Sequence, residues 1–278
     1  MNPNSLSCRA MIAIALISAF VSTVAAQTAK VSTEQEIASD VKFVTCKNEE
    51  RLAAVKNLFA EMGAPDDQVR VEKVGTAENV VVIKKGKTDE KIIVGAHYDK
   101  TSVGCGVIDN WTGIVILAHL YRALKDTETE KTYVFVAFGK EELGLIGSDE
   151  MARAIPKEKR REYCAMVNFD SFGMAHPQVM TNVSDERLTE LALTAARELK
   201  IPFANADLKN ATSDSASFRK QKIPAITIHG VSAGWQFYLH KQTDQTENVD
   251  MRSVYIGFRY GLTYLLQLDS KNCADFRK

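Results

Sequence analysis

The segment Thr132–Phe138 (TYVFVAF) and the stretch behind it, Gly139–Ser148 (GKEELGLIGS), decide the fold. The first is a near-continuous β-prone apolar run with no polar face to offer solvent. Strands of this kind are buried on both faces, as in a mostly parallel sheet covered by helices. Directly behind it stand two adjacent acids, Glu141 and Glu142, between Gly139 and Gly144. Neighbouring carboxylates repel each other, so the pair is costly as mere structure. A bound cation would relieve one of them and leave the other free to hold a proton.

Working outward, Val71–Val74, Asn79–Lys84, Ile92–His97, Met166–Phe169 and Ala225–Ile228 are similar short strand-like runs. Helical stretches alternate with them. A helix over Asn48–Met62 is ended by Gly63, Ala64 and Pro65. Another, over Asn110–Leu124, has Ile114, Leu117, Ala118 and Tyr121 at helical spacing. Others are expected over Leu145–Ala154, Asp185–Leu199, Ser215–Lys220 and Val249–Leu268. This alternation predicts an α/β fold, a three-layer α/β/α sandwich. In such sheets ligands bind outside the carboxyl ends of the strands.

The chemistry-bearing residues gather at those ends. His97 closes one strand, Glu141 and Glu142 follow a second, and Asp170 follows a third. Asp109, twelve residues after His97, opens a helix, and His240 lies in a late loop. Two imidazoles and three carboxylates can hold two zinc-like ions if one carboxylate bridges them. Asp109 is the expected bridge, although Asp is also a good helix N-cap. Asp99 is placed to hold the second ring nitrogen of His97. Asp244 either supports His240 or caps its loop. Ser213–Asp214 reads as the cap of a short helix, and His229, at a strand end, can approach the site.

Together HYD (from His97), IDNWTG (from Ile108), EELGLIGS (from Glu141), NFDSFG (from Asn168) and YLH (from Tyr238) resemble the co-catalytic zinc aminopeptidase family, whose superfamily includes glutamate carboxypeptidases and glutaminyl cyclases. The resemblance runs from about Asn48 to Leu268. It implies a phosphorylase/aminopeptidase-like sandwich with a mixed central sheet of about eight strands. It implies two Zn2+ ions, replaceable by other divalent metals, one held by His97, Asp109 and Asp170, the other by Asp109, Glu142 and His240. Glu141 becomes the general base. Tyr238 is a candidate oxyanion or substrate contact, offset by two positions from the late His. Lys140 stands where a neutral residue is expected.

The implied function is hydrolysis of N-terminal residues from peptides with a free N-terminus. A metal-bound hydroxide would be the nucleophile, and Glu141 would accept its proton. Glutaminyl cyclisation on one zinc, or a non-catalytic binding module of the same fold, are the alternatives. A carboxypeptidase would need a cationic pocket, and none converges on the site.

The 278 residues are 45% hydrophobic with a formal net charge of zero, enough for one substantial core. No basic stripe suggests a nucleic-acid partner. Residues 11–24 form an apolar run after Arg9 and end in Val24-Ala25-Ala26, which reads as a signal peptide over residues 1–26. Residues 27–278 are then a single metallopeptidase domain, exported to the periplasm or the extracellular space and free of the membrane in mature form. Four cysteines remain, Cys46, Cys105, Cys164 and Cys273, with three possible pairings. Cys46 with Cys273 is the expected one, tying the two terminal helical regions together. A bridge from Cys105 to Cys164 is the companion reading. These motifs leave oligomeric state and side-chain preference open.

Overall fold

Strands β1 (Arg70–Val74), β2 (Ala77–Lys84), β3 (Lys91–His97), β4 (Thr132–Phe138), β5 (Tyr163–Phe169), β6 (Gln178–Met180), β7 (Ala204–Ala206) and β8 (Ala225–His229) form one sheet. Its order is β1-β2-β4-β3-β5-β8-β6-β7. The computed structural model describes residues 30–206, 208 and 211–277, and the expected signal peptide over residues 1–26 lies outside them. The centre, β4-β3-β5-β8, is parallel. The β1-β2, β2-β4 and β6-β8 pairings are antiparallel, so the sheet is mixed.

Alternation along the central strands explains their apolar reading. Ile92, Val94, Tyr133, Phe135, Val167 and Ile226 face one core, and Ile93, Val134, Val136, Phe138 and Met166 face the other. The first core lies under α1 (Glu34–Lys42), α2 (Asn48–Glu61), α3 (Thr112–Leu124), α5 (Glu186–Leu199) and α7 (Met251–Asp269). The thinner layer on the second face is α4 (Ile146–Ala154) and α6 (Ser215–Lys220). The fold is the expected three-layer sandwich.

Two expectations are corrected. The helix expected from Asn110 begins at Thr112. Asp109 and Asn110 have non-helical backbone in a wide turn over Val107–Trp111, so Asp109 does not cap α3. The cysteines pair as Cys46–Cys105 and Cys164–Cys273, not Cys46–Cys273 or Cys105–Cys164. The reason is that Cys46 and Cys273 lie at opposite ends of the sheet. Cys46 precedes α2, whose Arg51 binds the carbonyls of Cys105 and Gly106 in the loop after β3. The C-terminal turn Cys273–Phe276 instead sits against the start of β5, where Cys164 lies.

Two glycines let the site loops approach one another. A Cβ on Gly113 would come within 2.2 Å of Asn110 Oδ1 and 2.5 Å of the Phe169 carbonyl. One on Gly147 would come within 2.4 Å of Asn79 Oδ1 and of the Gly139 carbonyl. The start of α3 therefore closes on the end of β5, and α4 closes on the loop after β4.

Candidate active site

The carboxyl ends of β3, β4 and β5 bring the expected residues together. His97 Nδ1 lies 3.1 Å from the Asp99 carbonyl, which can only accept. The ring hydrogen is thereby placed on Nδ1, and the Nε2 lone pair is turned inward. Nε2 faces Asp109 Oδ1 at 3.1 Å and Asp170 Oδ1 at 3.5 Å. His240 Nε2 lies 3.1 Å from Asp109 Oδ2 and 3.1 Å from Glu142 Oε2. Asp109 thus gives one oxygen to each imidazole. Ligand-type atoms of His97, Glu141 and Asp170 lie within 4.8 Å of one another, and so do those of Asp109, Glu142 and His240.

Neighbouring groups hold these side chains. The Asp99 carboxylate, 3.7 Å from the His97 ring, accepts the backbone N–H of Glu141 at 2.9 Å and of Glu142 at 3.2 Å. It therefore anchors the acidic loop as well as the imidazole's turn. Asp244 accepts the N–H groups of Val107, Ile108 and Asp109 at 2.8, 2.7 and 3.2 Å. Asn110 Oδ1 accepts from Gly113 N and Ser171 N, while its amide donates to the Phe169 carbonyl. Ser213 Oγ donates to Asp170 and accepts from Asn168. Lys140, Leu145, Ser171 and His240 all have φ near +60° (59°, 60°, 63° and 60°), so the site loops carry backbone strain beside the ligand-type residues. Lys140 serves this turn by its backbone, and nothing explains its charge.

The electrostatics fit cations. Burial lifts Glu141 well above the ordinary carboxylate range and Asp214 to about 7. Burial alone would lower His97, but the Glu141 charge and the hydrogen bonds to Asp109 and Asp170 outweigh it and raise it. Hydrogen bonds to Asp109 and Glu142 push His240 up to about 10. The carboxylates thus pull protons onto both imidazoles, a role that divalent cations fill with the rings neutral. Glu142 Oε1 is buried with no hydrogen-bond partner among the described residues, an acceptor left for a ligand. Two nitrogens and three carboxylates are a donor set suited to zinc.

His97, Asp109, Glu141, Glu142, Asp170 and His240 all line a cavity of about 410 Å³. Met180, Leu208, Ala211, Val231, Trp235 and Leu239 make its apolar wall. Tyr238, the expected oxyanion contact, is not among the lining residues; its neighbour Leu239 is. His229 does line the cavity. The roles of Ser213 and Asn110 escaped the sequence reading because a Ser or Asn before a helix also serves as a plain cap.

The profile described as Peptidase family M28 matches residues 79–256, more than half of the chain. Aminopeptidase YwaD of Bacillus subtilis is 30% identical over 163 residues, covering 55% of this chain and 35% of that one. Leupeptin-inactivating enzyme 1 of Streptomyces exfoliatus is 26% identical over 141 residues, covering 50% and 32%. The chain thus spans about a third of the length of these curated relatives. Among solved structures, the LapA aminopeptidase of Legionella pneumophila superposes with a TM-score of 0.69 at 19% identity, over 88% of this chain and 77% of that one. A glutaminyl cyclase from an Acidobacteriales bacterium superposes with a TM-score of 0.72 at 15% identity, over 95% of this chain and all of that one. At these identities the superpositions establish the fold, which is the fold read from the sequence. The family match runs from within β2 into the start of α7 and takes in all five ligand-type residues and Glu141, and on that match the chain belongs to peptidase family M28.

Proposed function

We propose that this chain is an exported aminopeptidase that works with two zinc ions. The observation that carries the reading is the division of Asp109, with Oδ1 toward His97 and Oδ2 toward His240. His97, Asp109 and Asp170 would hold one ion, and Asp109, Glu142 and His240 the other. When bound, the ions supply Lewis acidity, polarising a carbonyl and lowering the pKa of water.

The chain's own residues supply the rest. Glu141 is the one acid of the cluster not needed as a ligand, and burial raises its affinity for a proton. It takes a proton from the attacking water and returns it to the leaving amine. Asp99 fixes where Glu141 starts, through the Glu141 N–H. The apolar wall of the cavity receives the side chain of the substrate's first residue and excludes water from it.

Export rests on the N-terminal apolar run and on two disulfides, which persist in oxidising compartments. Among the described residues no helix is long and apolar enough to cross a membrane.

The test is metal content together with hydrolysis of aminoacyl arylamides, before and after chelation. About two zinc ions per chain and chelator-sensitive release are expected. About one zinc, no arylamide cleavage and ring closure of an N-terminal glutamine peptide would replace this reading with glutaminyl cyclisation.

A further inference from the structure

His229 is the buried titratable group of the cavity that this reading leaves unused. It is the last residue of β8 and 1% exposed. Its position is set by the sheet, because it pairs with Gln178 of β6 while the neighbouring Ile228 carbonyl accepts the Asp170 N–H. Successive side chains of a strand point to opposite faces, so His229 shares a face with Thr227. Thr227 bonds Ser215 at the start of α6, at 2.6 Å. His229 therefore points toward the layer containing α6, and the segment preceding that helix supplies Leu208, Ala211 and Thr212 to the cavity wall.

The ring's tautomer follows from one contact. Val231 N–H donates to His229 Nδ1 at 3.3 Å, so Nδ1 carries no hydrogen. Burial lowers the pKa to about 4, so the ring is neutral and its hydrogen sits on Nε2. That Nε2 is buried and has no hydrogen-bond partner among the described residues. A buried donor without an acceptor is unfavourable until a ligand supplies one.

We propose that the His229 Nε2–H is a specificity-determining donor. It selects peptides whose first residue carries a neutral hydrogen-bond acceptor on an apolar stem, glutamine above its near-isosteres methionine and glutamate. Methionine fits the wall but leaves the donor unmet. Glutamate brings an acceptor but also a charge, which loses its hydration against the apolar wall of Met180, Leu208 and Val231. A site built to hydrogen-bond a substrate group discriminates more strongly than an apolar pocket does. The proposal rests on the aminopeptidase reading for its substrate, though not for the donor itself.

The test compares kcat/KM for glutaminyl, methionyl and glutamyl arylamides in the zinc-loaded protein, His229→Phe and His229→Gln. The wild type is expected to prefer glutamine. His229→Phe keeps a ring but removes the donor, and the glutamine-to-methionine ratio should fall about tenfold or more. His229→Gln returns an N–H near the same place and should recover part of that ratio. An unchanged ratio in His229→Phe overturns the proposal and leaves the peptidase reading intact. If no arylamide is cleaved, that reading fails instead, and calorimetry with free L-glutamine and L-methionine decides. Tighter glutamine binding that is lost in His229→Phe upholds the donor role; equal binding ends it.

Discussion

Asp244 positions Asp109 through the backbone. Its carboxylate gathers the N–H groups of Val107, Ile108 and Asp109, the wide turn from which the Asp109 side chain projects between the two imidazoles. Asp244 lies four residues after His240, so a single loop carries one imidazole and the anchor of the bridging carboxylate. In Asp244→Asn an amide NH2 replaces one acceptor and opposes the backbone donors. Zinc affinity should fall by about 10–100-fold, as measured by competition with a chromophoric chelator. Affinity equal to wild type would remove Asp244 from the site.

Glu141→Gln removes the proton acceptor but keeps shape and volume. Turnover of an aminoacyl arylamide should drop by ~10²–10⁴-fold while the zinc content stays that of the wild type. Retained turnover would mean that another group handles the proton. Loss of zinc would make Glu141 a ligand, as its closeness to His97 and Asp170 permits.

Metal should also appear in stability. Zinc at about 100 times its Kd stabilises the folded chain by about 2.7 kcal/mol, an effect a chelator reverses. A thermal melt with and without chelator should differ by several degrees. Asp109→Asn should nearly abolish the difference, because both proposed sites share this residue. A zinc-dependent rise in Tm that survives the substitution would argue against the bridge.

Most of the scaffold was legible because its central strands are buried on both faces and its helices alternate with them. TYVFVAF is a strand over Thr132–Phe138, and α2, α4, α5, α6 and α7 start or end within two residues of their expected bounds. The last two strands at one side of the sheet, β6 and β7, were not legible. Three residues are too few to show a period, and pairing alone makes them strands. His97, Glu142 and Asp170 could be read from their places at or after strand ends, and Asp109 and His240 from the motifs around them. Their anchors could not, since Asp244 lies 135 residues from Asp109 and Ser213 lies 43 from Asp170. Disulfide pairing failed for a similar reason. Nothing local in the sequence says which end of the sheet each cysteine meets.

Arg51 is buried, and among the described residues no carboxylate is close enough to it for a salt bridge. It donates instead to the carbonyls of Thr45, Tyr98, Cys105 and Gly106. It thereby ties α2 to the loop between His97 and Asp109, alongside the Cys46–Cys105 bridge. Arg51→Leu leaves those carbonyls without donors and should cost about 3 kcal/mol or more in urea unfolding. Arg51→Lys keeps the charge but not the fork, and should recover only part of the loss. A near-neutral Arg51→Leu would mean that the disulfide alone sets the loop.

Glu36 carries a pH-dependent share of stability away from the active site. The Thr33 N–H donates to it at 2.8 Å, closing a capping box on α1, and Arg122 reaches it at 2.6 Å. These hold its carboxyl down at about 2, the Thr33 backbone bond contributing most. Because the folded value lies below the unfolded one of 4.5, the contribution is complete above the unfolded value. It is lost as pH falls toward 2. The side chain is 40% exposed, so screening limits the charge contribution to about 1 kcal/mol. Glu36→Gln should therefore lie below wild type by about that amount near pH 6, and the gap should shrink by about pH 3 in matched urea titrations. A gap that is constant across this range would assign the effect to cap geometry rather than to charge.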